Sequence, residues 1–221
     1  MSRTLTACFA LLMLVSFAGA EDAPTAKVDL PKPGPDGKIA LFNGKDLTGW
    51  YGEPGLFSVD NGEIVGKTEK GLKRNEFLKS RFEATDFRLT LKIKLVPNGA
   101  NSGVQFRSQP HKGNEMLGYQ ADAGAGWWGK LYEEEGRGIL VNEGGEKYLN
   151  KEDWNTYEIV AFGHKILIAL NGHQTVNLDD EKGATSGIFA LQVHAGGPTE
   201  VRFKDVTLEV NPKPELVTVT K

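Results

Sequence analysis

The chain has 221 residues, with 26 Lys and Arg against 29 Asp and Glu and a formal net charge of −3 at pH 7. So mild an acidity weighs against a nucleic-acid groove and against a basic membrane-binding face. The single cysteine, Cys8, excludes a disulfide framework and thiolate metal sites, so stability must come from a hydrophobic core, for which the length is ample.

Residues 1–20 read as a secretory signal. Arg3 precedes an apolar run from Ala7 to Ala18, and Ala18-Gly19-Ala20 supplies small residues for cleavage before Glu21. The run is too short for a comfortable membrane span of about 20 residues. The expectation is an exported chain, secreted or periplasmic, that lacks thiols and has no membrane attachment after cleavage. Residues 21–38 contain Pro24, Pro31, Pro33 and Pro35 with Gly34 and Gly37. That composition continues neither a helix nor a central strand, and reads as a linker or a wrapped arm.

From Ile39 the pattern is that of strands, giving one domain over 39–211 and a tail over 212–221. FSVDNGEIVGK (57–67) and KILIALNGHQTV (165–176) each place Asn-Gly between strand-like arms, the signature of a type I′ hairpin. In DFRLTLKIKL (86–95), Phe87, Leu89, Leu91, Ile93 and Leu95 alternate with Arg88, Thr90, Lys92 and Lys94, as in a strand with one buried face. WNTYEIVAF (154–162) and SGIFALQVH (186–194) are apolar on both faces, which suits strands covered by other structure. VRFKDVTLEV (201–210) changes parity after Lys204, which predicts a bulge at Lys204 and Asp205. Trp50 and Trp154 read as core. After the signal no segment has a helical period, so the fold class is all-β, an antiparallel two-sheet sandwich or jelly roll. The stretch 109–152 is expected to be a long, strand-poor loop.

Three segments carry an unusual polar face. NSGVQFR (101–107), GYQAD (118–122) and ALQVH (190–194) alternate apolar residues with Asn101, Gln105 and Arg107, then Gln120 and Asp122, then Gln192 and His194. Amides, one Arg and one His make directional hydrogen bonds, as the lining of a polar-ligand site requires. His111, His164 and His173 lack such company. Trp127 and Trp128 sit in a glycine-flanked loop where an indole could stack on a sugar ring. The formal G-x-G-x-x-G at 124–129 is followed by no helical pattern and is not a dinucleotide site. No H-E-x-x-H, G-x-S-x-G or P-loop occurs.

LFNGKDLTGW (41–50), NSGVQFRS (101–108), GYQAD, WWGKLYEEEGRG (127–138), DWNTYEIVAFGHKILIALNG (153–172), ALQVHAGG (190–197) and VRFKDVTLEV follow one another in an order and spacing that resembles the 3-keto-disaccharide hydrolase domain family. The resemblance spans 39–210. It implies a concanavalin-like jelly roll, a secreted bacterial protein, and action on glycosides with a ketone at C3, with the site on the concave face and its loops. Many members carry glutamate after the Tyr of the GY motif, where this chain has Gln120.

On that reading a base removes the C2 proton acidified by the ketone, the enolate expels the C1 substituent, and water adds. His194 is the candidate base, since imidazole titrates near neutrality. Arg107, with Gln120 or a metal, is the candidate enolate stabiliser. Asp122 or Glu133 is the candidate acid or metal ligand. Asn101, Gln105, Gln192, Trp127, Trp128 and Tyr132 are candidate substrate binders, while Glu134 and Glu135 read as a solvated acidic loop. A divalent metal is compatible with the chemistry, though no ligand spacing identifies one. The expected partner is a carbohydrate, and the sequence does not define an oligomeric state. The alternatives are a non-catalytic carbohydrate-binding module, a structural domain, and a two-carboxylate glycosidase built on Asp122 and Glu133.

Overall fold

The computed structural model describes residues 27–97 and 99–219; the expected signal at 1–20 lies outside them. Its strands are β1 (Ile39–Ala40), β2 (Trp50–Tyr51), β3 (Phe57–Asp60), β4 (Glu63–Thr68), β5 (Glu76–Ala84), β6 (Phe87–Val96), β7 (Asn101–Pro110) and β8 (Met116–Gly124). They continue as β9 (Leu131–Glu134), β10 (Gly138–Val141), β11 (Asn155–Phe162), β12 (Lys165–Leu170), β13 (His173–Asp179), β14 (Gly187–Val193) and β15 (Thr199–Val210). One sheet runs β13-β12-β11-β6-β15-β4-β3, with β1 also on β15, and the other runs β10-β9-β8-β7-β14-β5-β2. The two form an antiparallel β-sandwich. Among the described residues the helical structure is a single 3-10 turn at Glu146–Tyr148, and no helix is long and apolar enough to cross a membrane.

Local chemistry accounts for the elements. Asn61-Gly62 and Asn171-Gly172 all have positive φ, between 49° and 79°, which Asn and Gly tolerate and a type I′ hairpin requires. β15 shifts register between Lys204 and Thr207, with Asp205 at φ 54°, so the bulge lies where the parity changes. The stretch 109–152 is not strand-poor: the alternating GYQAD lies in β8, and β9 and β10 follow it. The last two are four residues each in a glycine-rich stretch, and pairing rather than propensity defines them.

The alternate residues of β6, Phe87 to Leu95, are all at most 2% exposed and meet the inner face of the second sheet. Phe87 packs edge-on against Phe189 and Phe106, and Phe106 stacks on Tyr119 with centroids 5.4 Å apart. Trp50 is buried and donates Nε1–H to the Leu41 carbonyl at 2.8 Å. Trp154 is not core: it is half-exposed on the outside of the first sheet, with Lys204 Nζ 3.9 Å from its ring.

Both double-faced strands are indeed covered. Outside β11 lies the C-terminal segment, tied down by a buried ion pair. Arg88 Nε donates to Glu158 Oε1 at 2.9 Å and its Nη2 to the Glu215 carbonyl at 2.9 Å, while Val217 and Thr218 donate backbone N–H to Glu158. Outside β14, Ile188 and Ala190 pack with Phe77 and Met116. The 111–116 segment is thereby pinned over part of the second sheet's outer face. At the other edge Val28 N–H bonds the Arg81 carbonyl at 3.0 Å, so the first described residues lie along β5 as an arm.

Glu158→Ala should leave the buried Arg88 guanidinium short of its partner and release the C-terminal segment. A loss of about 3 kcal/mol is expected, read as a lower denaturant midpoint with an unchanged m-value.

Candidate functional site

The site grows from the period-two rule on β14, β7, β8 and β9. Gln105 lies opposite Ala190 on one side and Gln120 on the other, Gln120 opposite Tyr132, and Asp122 opposite Gly103. These positions point away from the inter-sheet core and form a polar inlay on the outer face of the second sheet. A Cβ at Gly103 would fall 2.4 Å from Gln120 Cδ, so the missing side chain is what lets Gln120 lie flat across β7.

The inlay is buried and directional. Ser108 Oγ–H donates to Gln105 Oε1 (2.6 Å), Gln105 Nε2–H to Gln120 Oε1 (3.0 Å), and Gln120 Nε2–H to Asp122 Oδ1 (2.6 Å). Each amide fixes the orientation of the next, and the chain ends on a carboxyl group. Beside it Gln192 is 0% exposed, and neither atom of its amide has a hydrogen-bond partner. A buried amide in that condition is costly, and marks a place where a bound group belongs.

Over the inlay lies a pocket of about 200 Å³ lined by Asn101, Gln120, Asp122, Trp127, Tyr132, Glu134 and His194. Burial pushes the Asp122 carboxyl up to about 7, against the opposing effect of the Gln120 bond and with a further push from Glu134. Glu134 is also pushed up to about 7, by burial and by the charges of Glu115 and Glu135. His194 Nδ1 lies 2.6 Å from the Ala195 carbonyl. A carbonyl only accepts, so Nδ1 carries the proton and Nε2 is the basic nitrogen. A second cleft of about 420 Å³ shares Asn101 and His194 and continues along Pro97, Ala195 and Pro198. A larger cleft, about 500 Å³, opens beside Arg107 and Glu133. Its charged groups are already spent in ion pairs, so the smaller pocket is the better candidate.

The backbone of the site hangs on Tyr157. Its hydroxyl crosses from β11 to donate to the Asp122 carbonyl and accept from Gly129 N–H. The turn between β8 and β9 is thereby held so that its adjacent indoles part. Trp128 is 0% exposed and stacks on Tyr157 with rings 11° apart, while Trp127 lines the pocket.

A family model described as the 3-keto-alpha-glucoside-1,2-lyase-like domain matches residues 37–209. The chain belongs to that family. No curated protein matches the chain. Among solved structures it is similar to a candidate glycosyl hydrolase from Parabacteroides distasonis, at 20% identity over 80% of this chain and 95% of that one, with a TM-score of 0.61. It is similar also to the carbohydrate-binding module CBM66 from Bacillus subtilis, at 19% identity over 73% and 95%, TM-score 0.54. A Bacillus subtilis protein of galectin-like fold matches at 10% identity over 78% and 94%, TM-score 0.57. At these identities the likeness is one of fold.

Within this lyase-like domain the sequence-derived candidates divide. Asn101, Gln120, Asp122, Trp127, Tyr132 and His194 share the pocket, with Gln105 and Gln192 buried in the inlay beside it. Arg107 does not join them. It sits at φ 46° in the β7 bulge, which turns its side chain toward the end of the sandwich. There Nε and Nη2 donate to the Thr85 carbonyl and Nη1 to the Gly163 carbonyl, with Asp86 Oδ1 at 3.2 Å. With Nη1 also 3.5 Å from the Ala184 carbonyl, Arg107 clasps three loops and stands outside the pocket where an enolate stabiliser was expected. Glu133 is likewise removed: it pairs with Arg137, which also grips Asp180, and that pairing holds its carboxyl below the usual range. Trp128 is an anchor, with no surface to offer a sugar. Glu134 is the residue that sequence reasoning missed. It shares parity with Tyr132 on β9, and both line the pocket, so strand alternation counted from Tyr132 would have chosen Glu134 over Glu133.

Trp128→Ala should destabilise the domain by about 3–5 kcal/mol, whereas Trp127→Ala should stay folded and lose ligand affinity; thermal melts and a binding titration on both variants separate the roles. Asp122 makes a second prediction. Its folded pKa is raised, so its contribution to stability is most favourable below about pH 4 and falls as pH rises to about 7. Asp122→Asn should therefore gain on the wild type across that window, by up to about 4 kcal/mol, in denaturation curves measured at pH 4 and pH 8.

Proposed function

We propose that this chain cleaves the glycosidic bond of a 3-keto-glycoside by removing the C2 proton and expelling the C1 substituent, with water adding afterwards. The observation that carries the reading is the meeting of His194 and Asp122 in one pocket, at its junction with a second cleft. A base and a carboxyl near neutrality are what the two proton transfers need. Family membership supports carbohydrate as the substrate class.

In this mechanism the keto-sugar ring occupies the smaller pocket against Trp127, and the leaving group extends into the cleft beyond His194. His194 Nε2 takes the C2 proton, and the electron pair passes into the C2–C3 bond and onto the C3 oxygen. Hydrogen-bond donors of Asn101, Gln120 and Tyr132 are the groups available to stabilise that oxyanion. The pair then forms the C1–C2 double bond as the C1–O bond breaks, and protonated Asp122 supplies a proton to the departing oxygen. Addition of water across the double bond completes a net hydrolysis. The leader-like run at 1–20 supports placing this reaction outside the cytoplasm.

The second reading is a carbohydrate-binding module, favoured by the fold it shares with such a module. Leaving-group release separates the two. The wild type should release it from a 3-keto-glycoside and leave the unoxidised glycoside intact, and His194→Ala should lower turnover by about two to four orders of magnitude with little change in binding. Arg107→Lys should lower thermal stability rather than the rate per folded molecule. A protein that binds the sugar equally with and without His194 and never cleaves the keto form would be a binding module.

A further inference from the structure

Behind Glu134, which lines the pocket, lies an arrangement that the proposed proton transfers do not use. Glu115, at the entry to β8, Glu134, at the end of β9, and Glu135, in the following turn, bring one carboxylate oxygen each within 4.8 Å of the others. Among the described residues no lysine or arginine comes within ion-pair distance of any of the three. Lys79, buried on β5, and Arg74 act on Glu115 only at longer range, together with Glu76. Asn75 Nδ2 reaches Glu115 at 3.4 Å, a weak contact. Three carboxyl groups are therefore gathered with no ion-pair partner among the described residues, and ionising all three costs free energy unless something cationic is bound there; burial and that crowding are why the Glu134 carboxyl is pushed up.

An independent observation points to the same spot. Gln192 turns its amide N–H toward Glu134 and so favours the charged form of that carboxyl, at a reach too long for a normal hydrogen bond, while its side-chain oxygen is buried with no partner among the described residues. A side-chain carbonyl oxygen held in that condition is a ready ligand for a cation, and no protein donor is placed to satisfy it.

We propose that Glu115, Glu134 and Glu135, with the Gln192 amide oxygen, form a binding site for a hard divalent cation at the wall of the sugar pocket. The donors are all oxygen, with neither thiolate nor imidazole, a set that suits Ca²⁺, Mg²⁺ or Mn²⁺ rather than zinc or copper. Three protein carboxylates and one amide leave room for water, as these ions require. The crowding of like charges that destabilises the metal-free site becomes the source of affinity once the ion is bound. The site does not depend on the proposed reaction, and it can be tested without any sugar.

The experiment is a thermal-shift and calorimetric titration of chelator-treated full-length protein with CaCl₂, MgCl₂ and MnCl₂ in turn. At least one ion should bind saturably at one per chain and raise the melting temperature. Glu134→Gln should reverse sign between conditions: in chelator it should be at least as stable as the wild type, because a crowded charge is gone, and with saturating ion it should be the less stable of the two. Gln192→Leu should keep the fold and weaken the ion by roughly tenfold or more. No saturable binding at millimolar ion, or equal stabilisation of wild type and Glu134→Gln, would overturn the proposal. Neither result would bear on cleavage of the keto-sugar, which His194→Ala tests separately.

Discussion

The hydroxyl of Tyr157 crosses the dry interior from one sheet to the other, and the candidate site rests on that crossing. Burial pushes its pKa well above the usual range, so it stays protonated and can donate to the Asp122 carbonyl while accepting from Gly129 N–H. Few hydrogen bonds are placed to do as much, because this one fixes a strand, the turn that follows it and the separation between sheets. With the turn held, Trp128 enters the core and Trp127 is left at the surface of the pocket. A phenylalanine at 157 would leave a buried carbonyl and a buried N–H to find new partners.

What the crossing holds in place is a polar face of neutral amides. Ser108, Gln105 and Gln120 pass hydrogen bonds in one direction toward Asp122, so the carboxyl sits in a dry setting with one strong donor rather than in water. Burial wins over that donor, which is why its pKa rises toward neutrality instead of falling. Gln120 suits this role, since a glutamate there could donate to Asp122 only by keeping a proton of its own. The carboxyl cluster of Glu115, Glu134 and Glu135 meets the same pocket through Glu134. The site therefore sets a hydrogen-bonded carboxyl and an imidazole against Glu134, a carboxyl that forms no ion pair among the described residues.

Local patterns were legible wherever one short-range rule acts alone. The Asn-Gly hairpins, the one-faced strand β6 and the parity change in β15 follow from φ preferences and the two-residue period, and each stands where the residues placed it. Arg107 was misplaced because the same period was carried through a bulge that its neighbours do not announce. Glu133 was preferred to Glu134 because motif adjacency was weighed above parity. The adjacent indoles at 127 and 128 have nearly the same local sequence environment, and only the inter-sheet contact with Tyr157 divides them.

By itself the sequence determined the β architecture, the hairpins, the buried faces and most of the polar inlay, because alternation is a property of neighbouring residues along one strand. The tertiary structure alone decided which charged groups are spent on the scaffold and which are left for a ligand. Arg107 closes on carbonyls from Thr85 and Gly163, Glu133 on Arg137, and Glu134, among the described residues, forms no ion pair. Those partners are brought together by strands far apart in the chain, and whether a charge is paired depends on distance in space, which no local period records.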